Sequence, residues 1–236
     1  MSLHAAAFFD LDRTILSVNS ARLWISRERA DGRVSRLKLL EGLGWLLGYS
    51  LGAVQMETAL RRAVRTIEGM AEAEMAQRVK AWFDAEVVQT IVPQAVDAIE
   101  FHRRQGHRLV LLTSSSPYVS NVVVERLRLE HALSSQFEVR EGRFTGEPVL
   151  PFCFGEGKVV LARAWAEQAG VSLAQSYFYT DSHTDLPMLR AVGYPRVINP
   201  DPRLRLEARR QGWPIEDWAP GRLRRLRRRL RRLSGD

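Results

Sequence analysis

A chain of 236 residues with 45% hydrophobic side chains can bury a sizeable core, which excludes a disordered chain and leaves room for one large domain or one domain with a smaller companion. The net charge of +8 is concentrated in one place: eight arginines fall between Arg222 and Arg232, and taking these from the 35 lysines and arginines leaves 27, equal to the 27 acidic residues. The main body is formally neutral, so its basicity belongs to a tail, and the single cysteine, Cys153, excludes an internal disulfide and fits a reducing compartment.

Residues 5–9, AAAFF, read as a buried strand that ends in Asp10, Leu11 and Asp12. No basic region precedes this apolar patch and two aspartates cut it off, so it does not read as a signal peptide, and the expected location is the cytoplasm. In an extended segment residues two apart point the same way, so Asp10 and Asp12 can face one site beyond the strand end. Two nearby carboxylates repel, and either one takes a proton or both share a cation, for which Mg²⁺ is the natural hard partner. An Asp-x-Asp after a strand serves equally to cap a helix or to solvate a turn.

Between Asp12 and the helix beginning near Pro93 lie about 80 residues, where a strand-to-helix loop needs roughly 2 to 6. Amphipathic helical patterns at residues 21–29, 36–47, 56–67 and 71–87 make this a helical insertion. Its most apolar stretch, residues 42–54, has four glycines and is shorter than the roughly 20 residues of a membrane-spanning helix. Trp24, Trp45, Tyr49 and Trp82 fall in the insertion, where helix packing is the default reading and the lining of a pocket the alternative.

The remainder alternates. Helical patterns at 93–104, 117–127, 158–168 and 185–191 separate apolar strands at 108–112, 176–180 and 194–198, and residues 139–150, VREGRFTGEPVL, read as a hairpin. Apolar strands interleaved with helices predict an α/β fold with a doubly wound parallel sheet covered on both faces. Ligands bind such sheets at the C-terminal strand ends. The second strand ends in TSSSP, where Thr113, Ser114 and the free amides of a starting helix form an anion site, although N-capping by Ser116 explains one of the hydroxyls. Lys158, one of three lysines with Lys38 and Lys80, stands in the first turn of a helix, which is unfavourable unless an anion sits there; a solvated surface lysine is the plainer reading. The third strand ends in Asp181, and Asp185 follows where a helix starts, placed to reach the same cation if the turn curls back. His183, between hydroxyl residues, reads as polar filler.

In order and spacing, "DLDRT", "LLTSSS", the lysine of "GEGK" and "YTDSHTD" resemble the four motifs of the haloacid dehalogenase superfamily, and the insertion after the first motif is similar to the small cap of its phosphoserine-phosphatase-like branch. The resemblance implies a core of residues 1–15 and 89–220, a cap of residues 16–88 and a basic tail of residues 221–236. It implies a Mg²⁺-dependent phosphomonoesterase for a small phosphorylated metabolite. Asp10 would be the nucleophile forming an aspartyl-phosphate, and Asp12 the acid that protonates the leaving alcohol and later activates water. Thr113, Ser114 and Lys158 would hold the phosphoryl oxygens. Asp181 would bind the metal with Asp10 and the Asp12 carbonyl, supported by Asp185.

Some positions depart from the family. Where phosphoserine phosphatases carry a substrate-binding glutamate in the first cap helix, this chain has Asn19, and Arg61 and Arg62 fall near the place of a carboxylate-binding arginine. Ser114 and Ser115 replace glycines, and Thr184 replaces an asparagine. A phosphomutase using the same aspartyl-phosphate is the nearest rival reading, and a non-catalytic adaptor a more distant one. Leu223, Leu226, Leu230 and Leu233 recur at helical spacing among the tail arginines. Such a segment reads as a solvated or docked helix, or as one that contacts anionic lipid or nucleic acid.

Overall fold

The computed structural model describes residues 4–32 and 56–218. The expected helix at 36–47, the apolar stretch at 42–54 with Trp45 and Tyr49, and the arginine-rich tail lie outside these residues. Among the described residues no helix is long and apolar enough to cross a membrane.

The core is one parallel sheet built on β1 (Ala6–Phe9), which pairs with β2 (Arg108–Thr113) on one side. β3 (His131–Ser134) lies beyond β2; on the other side come β6 (Tyr177–Thr180), β7 (Tyr194–Ile198) and the short β8 (Ile215–Glu216). The order β3-β2-β1-β6-β7-β8 winds outward in both directions from β1, so the topological switch falls between β1 and β6. Burial follows the period of two. Ala7, Phe9, Leu109, Leu111 and Tyr179 pack on one face, and Ala6, Phe8, Val110, Leu112 and Phe178 on the other. That explains why β1 is apolar throughout.

Helices α4 (Pro93–Arg104) and α5 (Pro117–Leu127) cover the first face, and α6 (Glu156–Ala169), α7 (Leu186–Ala191) and α8 (Pro202–Gln211) the second. The insertion supplies α1 (Ser20–Ala30), α2 (Met56–Arg65) and α3 (Glu72–Trp82). It leaves and returns through one neck, where Val92 N–H donates to Ile15 at 2.9 Å and Ser17 N–H to Thr90 at 2.8 Å. The continuous helix expected over 71–87 instead ends at Trp82 and widens into a π turn, Phe83–Val87, and a 3-10 turn, Val88–Thr90. Trp82, Phe83 and Val87 are buried together there, and this tertiary burial overrides the regular helical period. Trp24 packs edge-on against Trp82, with centroids 5.0 Å apart.

The hairpin, β4 (Gln136–Arg140) and β5 (Arg143–Val149), closes through Glu141 and Gly142 at φ of 50° and 72°, the positive values that a two-residue hairpin turn demands. It carries the insertion: Gly69 N–H donates to Phe144 at 2.9 Å, Phe144 N–H to Met70 at 3.0 Å and Glu72 N–H to Gly142 at 2.9 Å. From α5, the Tyr118 hydroxyl reaches Glu72 at 3.0 Å.

On the first sheet face a histidine is fully enclosed. The ring nitrogens of His102 lie 2.8 Å from His107 Nδ1 and 2.8 Å from the Tyr179 hydroxyl, with the Tyr177 ring against it. Burial, with His107 and Arg196 nearby, lowers its pKa to about 4. The unfolded chain therefore takes up a proton below pH ~6.5 that the folded one refuses, and stability falls as pH drops. Urea midpoints at pH 7 and pH 5 should show wild type losing about 2 kcal/mol more than His102→Gln; parallel losses would remove His102 as the cause.

Candidate active site

The sheet register sets the site. Phe9 lies opposite Tyr179, and Asp10 N–H donates to the Tyr179 carbonyl at 2.9 Å, so Asp10 and Asp181 leave neighbouring strands. Adjacent strand backbones are about 4.8 Å apart. On the other side Phe9 pairs with Leu111, which brings Thr113 level with Leu11. Thr113 is buried, and its hydroxyl accepts the Ser115 amide at 3.2 Å. Ser116 caps α5 through Val119 N–H, with Pro117 in the first helical position. Capping thus accounts for Ser116 and leaves Thr113, with Ser114 exposed beside it, at the strand end.

Lys158 arrives from the second face. A Cβ on Gly157 would stand 1.9 Å from the Phe152 carbonyl oxygen, so only glycine permits the tight turn that starts α6 and directs Lys158 inward. The side chain is 2% exposed, and its Nζ donates to Asp10 Oδ1 at 2.8 Å and to Asp185 Oδ2 at 2.7 Å. The plainer reading of a solvated lysine is thereby excluded. Burial alone would lower the Lys158 pKa, but Asp10 and Asp185 more than offset it and hold the ammonium charged.

The carboxylates outnumber that cation. Burial raises the Asp10 pKa to about 7, with Lys158 pulling it down and Asp185 pushing it up. Burial also raises Asp181, to about 8, and repulsion from Asp10 adds to it. Among the described residues no hydrogen bond or ion pair reaches the Asp181 carboxylate. The positive charges of Arg13, exposed with φ of 57°, and of Lys158 act the other way on Asp181 without outweighing its burial.

The other two carboxylates are engaged. Asp185 Oδ2 accepts from both Lys158 and Thr180 Oγ1, the latter at 2.6 Å. Asp12 Oδ1 accepts Ser20 N–H at 2.8 Å, and its Oδ2 accepts Asn19 Nδ2 at 3.0 Å. Accordingly, no three acidic, histidine or cysteine side chains form a closed metal cage among the described residues. Asp10 and the buried Asp181 thus stand in an open oxygen environment rather than a closed cage, the kind that a hard cation such as Mg²⁺ prefers because it retains water and substrate oxygens. The unpaired, desolvated Asp181 beside Asp10 fits a divalent cation.

Asn19 caps α1 rather than standing free, its Oδ1 accepting Arg22 N–H at 3.0 Å. Arg61 approaches Glu147 of the hairpin at 4.0 Å, and Arg62 is exposed. His183 contributes its backbone N–H to Asp201 at 2.7 Å. Cys153 is fully buried, its Sγ 3.3 Å from the Leu133 carbonyl.

Two residues that support the site had escaped the sequence reading. Asp201 accepts His183 N–H through one oxygen and caps α8 through the other, at 2.8 Å to Arg203 N and 2.9 Å to Leu204 N, while its own N–H binds the Asp181 carbonyl at 3.0 Å. The Asp-Pro helix start in "NPDPRL" is the signal that could have found it. Asn199 ties the loop after β1 to β8 through Arg13 and Trp218, at 3.4 Å and 3.1 Å.

Three polar strand ends around a topological switch, with an enclosed ammonium and surplus carboxylate, define an α/β enzyme built to handle an anion. Residues 7–190 match the haloacid dehalogenase-like hydrolase family, and the chain belongs to that family. A Mycobacterium tuberculosis protein described as a probable phosphatase is 33% identical over 213 residues, 89% of this chain and 74% of that protein. The phosphoserine phosphatase SerB1 of the same organism is 31% identical over 225 residues, 92% of this chain and 72% of the relative. A solved Bordetella pertussis protein of unknown function superposes with a TM-score of 0.85 at 28% identity, covering 92% of this chain and all of that one.

Proposed function

We propose that the protein is a Mg²⁺-dependent phosphatase that hydrolyses a small phosphomonoester through an aspartyl-phosphate on Asp10. The observation that carries this reading is the contact of Lys158 with Asp10, next to an Asp181 carboxylate that no protein donor among the described residues neutralises. Asp10, Asp181 and the Asp12 backbone carbonyl would hold the metal, which supplies the positive charge that lets one anion attack another.

The chain's own residues supply the rest. Asp10 attacks phosphorus, the P–O bond to the alcohol breaks, and Asp12 gives its proton to the leaving oxygen. Lys158, the Thr113 and Ser114 hydroxyls and the amides opening α5 receive the phosphoryl oxygens. Asp12, now ionised, takes a proton from the water that cleaves the acyl-phosphate. Asp185 acts through Lys158, whose Nζ it fixes. The relatives support a phosphatase, and the phosphoserine phosphatase among them supports a phosphorylated amino acid or amino alcohol as the place to begin.

The test is inorganic phosphate release from serine, ethanolamine, glycerol and histidinol monophosphates. At least one should be hydrolysed with Mg²⁺, and chelation should reduce the rate by more than about 100-fold. Transfer of the group to a second hydroxyl without net phosphate release would favour a phosphomutase. Inertness towards every ester would remove the catalytic reading.

A further inference from the structure

Asn19 is joined both to α1 and to Asp12 of the loop after β1. Its side-chain oxygen accepts Arg22 N–H at 3.0 Å and caps α1, and its amide nitrogen donates to Asp12 Oδ2 at 3.0 Å. The two bonds fix the amide orientation, because only oxygen can accept from a backbone N–H and only nitrogen can donate to a carboxylate. The next residue completes the grip. Ser20 is 2% exposed, and its N–H donates to Asp12 Oδ1 at 2.8 Å.

Each Asp12 oxygen is thus held by a donor from the first turn of a helix of the insertion. Among the described residues no side chain of the sheet core donates to Asp12. A carboxylate held at both oxygens keeps its plane fixed, and its remaining lone pairs face a defined direction. We infer that Asn19 is a positioning residue for the leaving-group acid, which makes the orientation of Asp12 depend on where α1 sits over the core. A glutamate or aspartate at this position could not donate to Asp12 and would repel it. Position 19 is thereby committed to Asp12 and is closed as a charged contact for substrate.

This inference rests on the phosphatase reading, and the experiment separates the two. Asn19→Asp keeps an acceptor for Arg22 N–H, so α1 remains capped, but the donor to Asp12 is lost. Asn19→Ser keeps a capping oxygen on a shorter side chain and takes away the amide donor that reaches Asp12, without adding charge. Each variant is assayed with Mg²⁺ on p-nitrophenyl phosphate, whose phenolate leaves without a proton, and on whichever of serine, ethanolamine, glycerol or histidinol monophosphate wild type turns over fastest, whose alkoxide needs one.

Both variants should melt within a few degrees of wild type. Their kcat/KM for the alkyl ester should fall on the order of 10- to 100-fold, with less than about threefold change for the aryl ester, because general-acid assistance is worth roughly 10² to 10⁴ and only part of it is lost. The loss should lie in kcat rather than in KM. Equal losses on both esters, a loss confined to KM, or no loss would overturn the role of Asn19 while leaving the phosphatase intact. A wild type inert on both esters would overturn the phosphatase reading itself, and this inference with it.

Discussion

Asp10→Asn should reduce phosphate release by on the order of 10⁴-fold or more while the protein stays folded. The amide has nearly the shape of the carboxylate, and its oxygen can still accept the Lys158 ammonium, which keeps Asp185 as its ionic partner at 2.7 Å. The loss should therefore be chemical: a neutral amide is a poor nucleophile towards phosphorus and cannot form the acyl-phosphate. Acid-quenched wild type incubated with labelled substrate should carry a hydroxylamine-labile phosphate, absent from the variant, and the melting midpoints should agree within a few degrees. A variant that keeps more than about 1% of wild-type turnover would end the assignment of Asp10 as nucleophile.

Lys158→Met should cost both activity and stability, for one physical reason. The ammonium lies between two buried carboxylates, and Asp10 and Asp185 are left without a cation once it is gone. Breaking a buried pair in this way typically costs about 3–5 kcal/mol. Turnover should fall by more than about 10³-fold, since the charge beside the transferring phosphoryl group is lost as well. Adding Asp185→Asn removes one of the stranded charges and should return part of the lost stability, read as the urea midpoint, without restoring turnover. Thr180 can still donate to the new amide oxygen, as it does to Asp185 at 2.6 Å. Restored activity in the double variant would show that Lys158 serves the fold alone.

Much of the fold was legible because its signals are local. The apolar run closed by Asp10, the Pro117 and Ser116 helix start and the Glu141-Gly142 turn each follow from a few neighbouring residues. The edge strand β3 and helix α8 were not read, because their patterns are short and polar on one side and become informative only once β2 and β7 stand beside them. The π turn after Trp82 escaped for a related reason. Burial against the sheet, and not the helical period, shapes it.

The candidate site divides along the same line. Strand-end placement and spacing by themselves determined which groups were candidates, carboxylates and hydroxyls at the ends of strands that must run parallel and one lysine in the first turn of a helix, and the motif resemblance supplied the class of chemistry. Which of these groups meet was decided by the tertiary structure alone. Lys158 and Asp10 are 148 residues apart in the chain, and nothing in either segment announces the other. The sheet register brings Asp181 beside Asp10, the Gly157 turn brings Lys158 between Asp10 and Asp185, and the cap of α1 turns Asn19 onto Asp12. Sequence patterns record what each segment prefers locally, whereas hydrogen-bond partners and burial depend on atoms that only folding brings together.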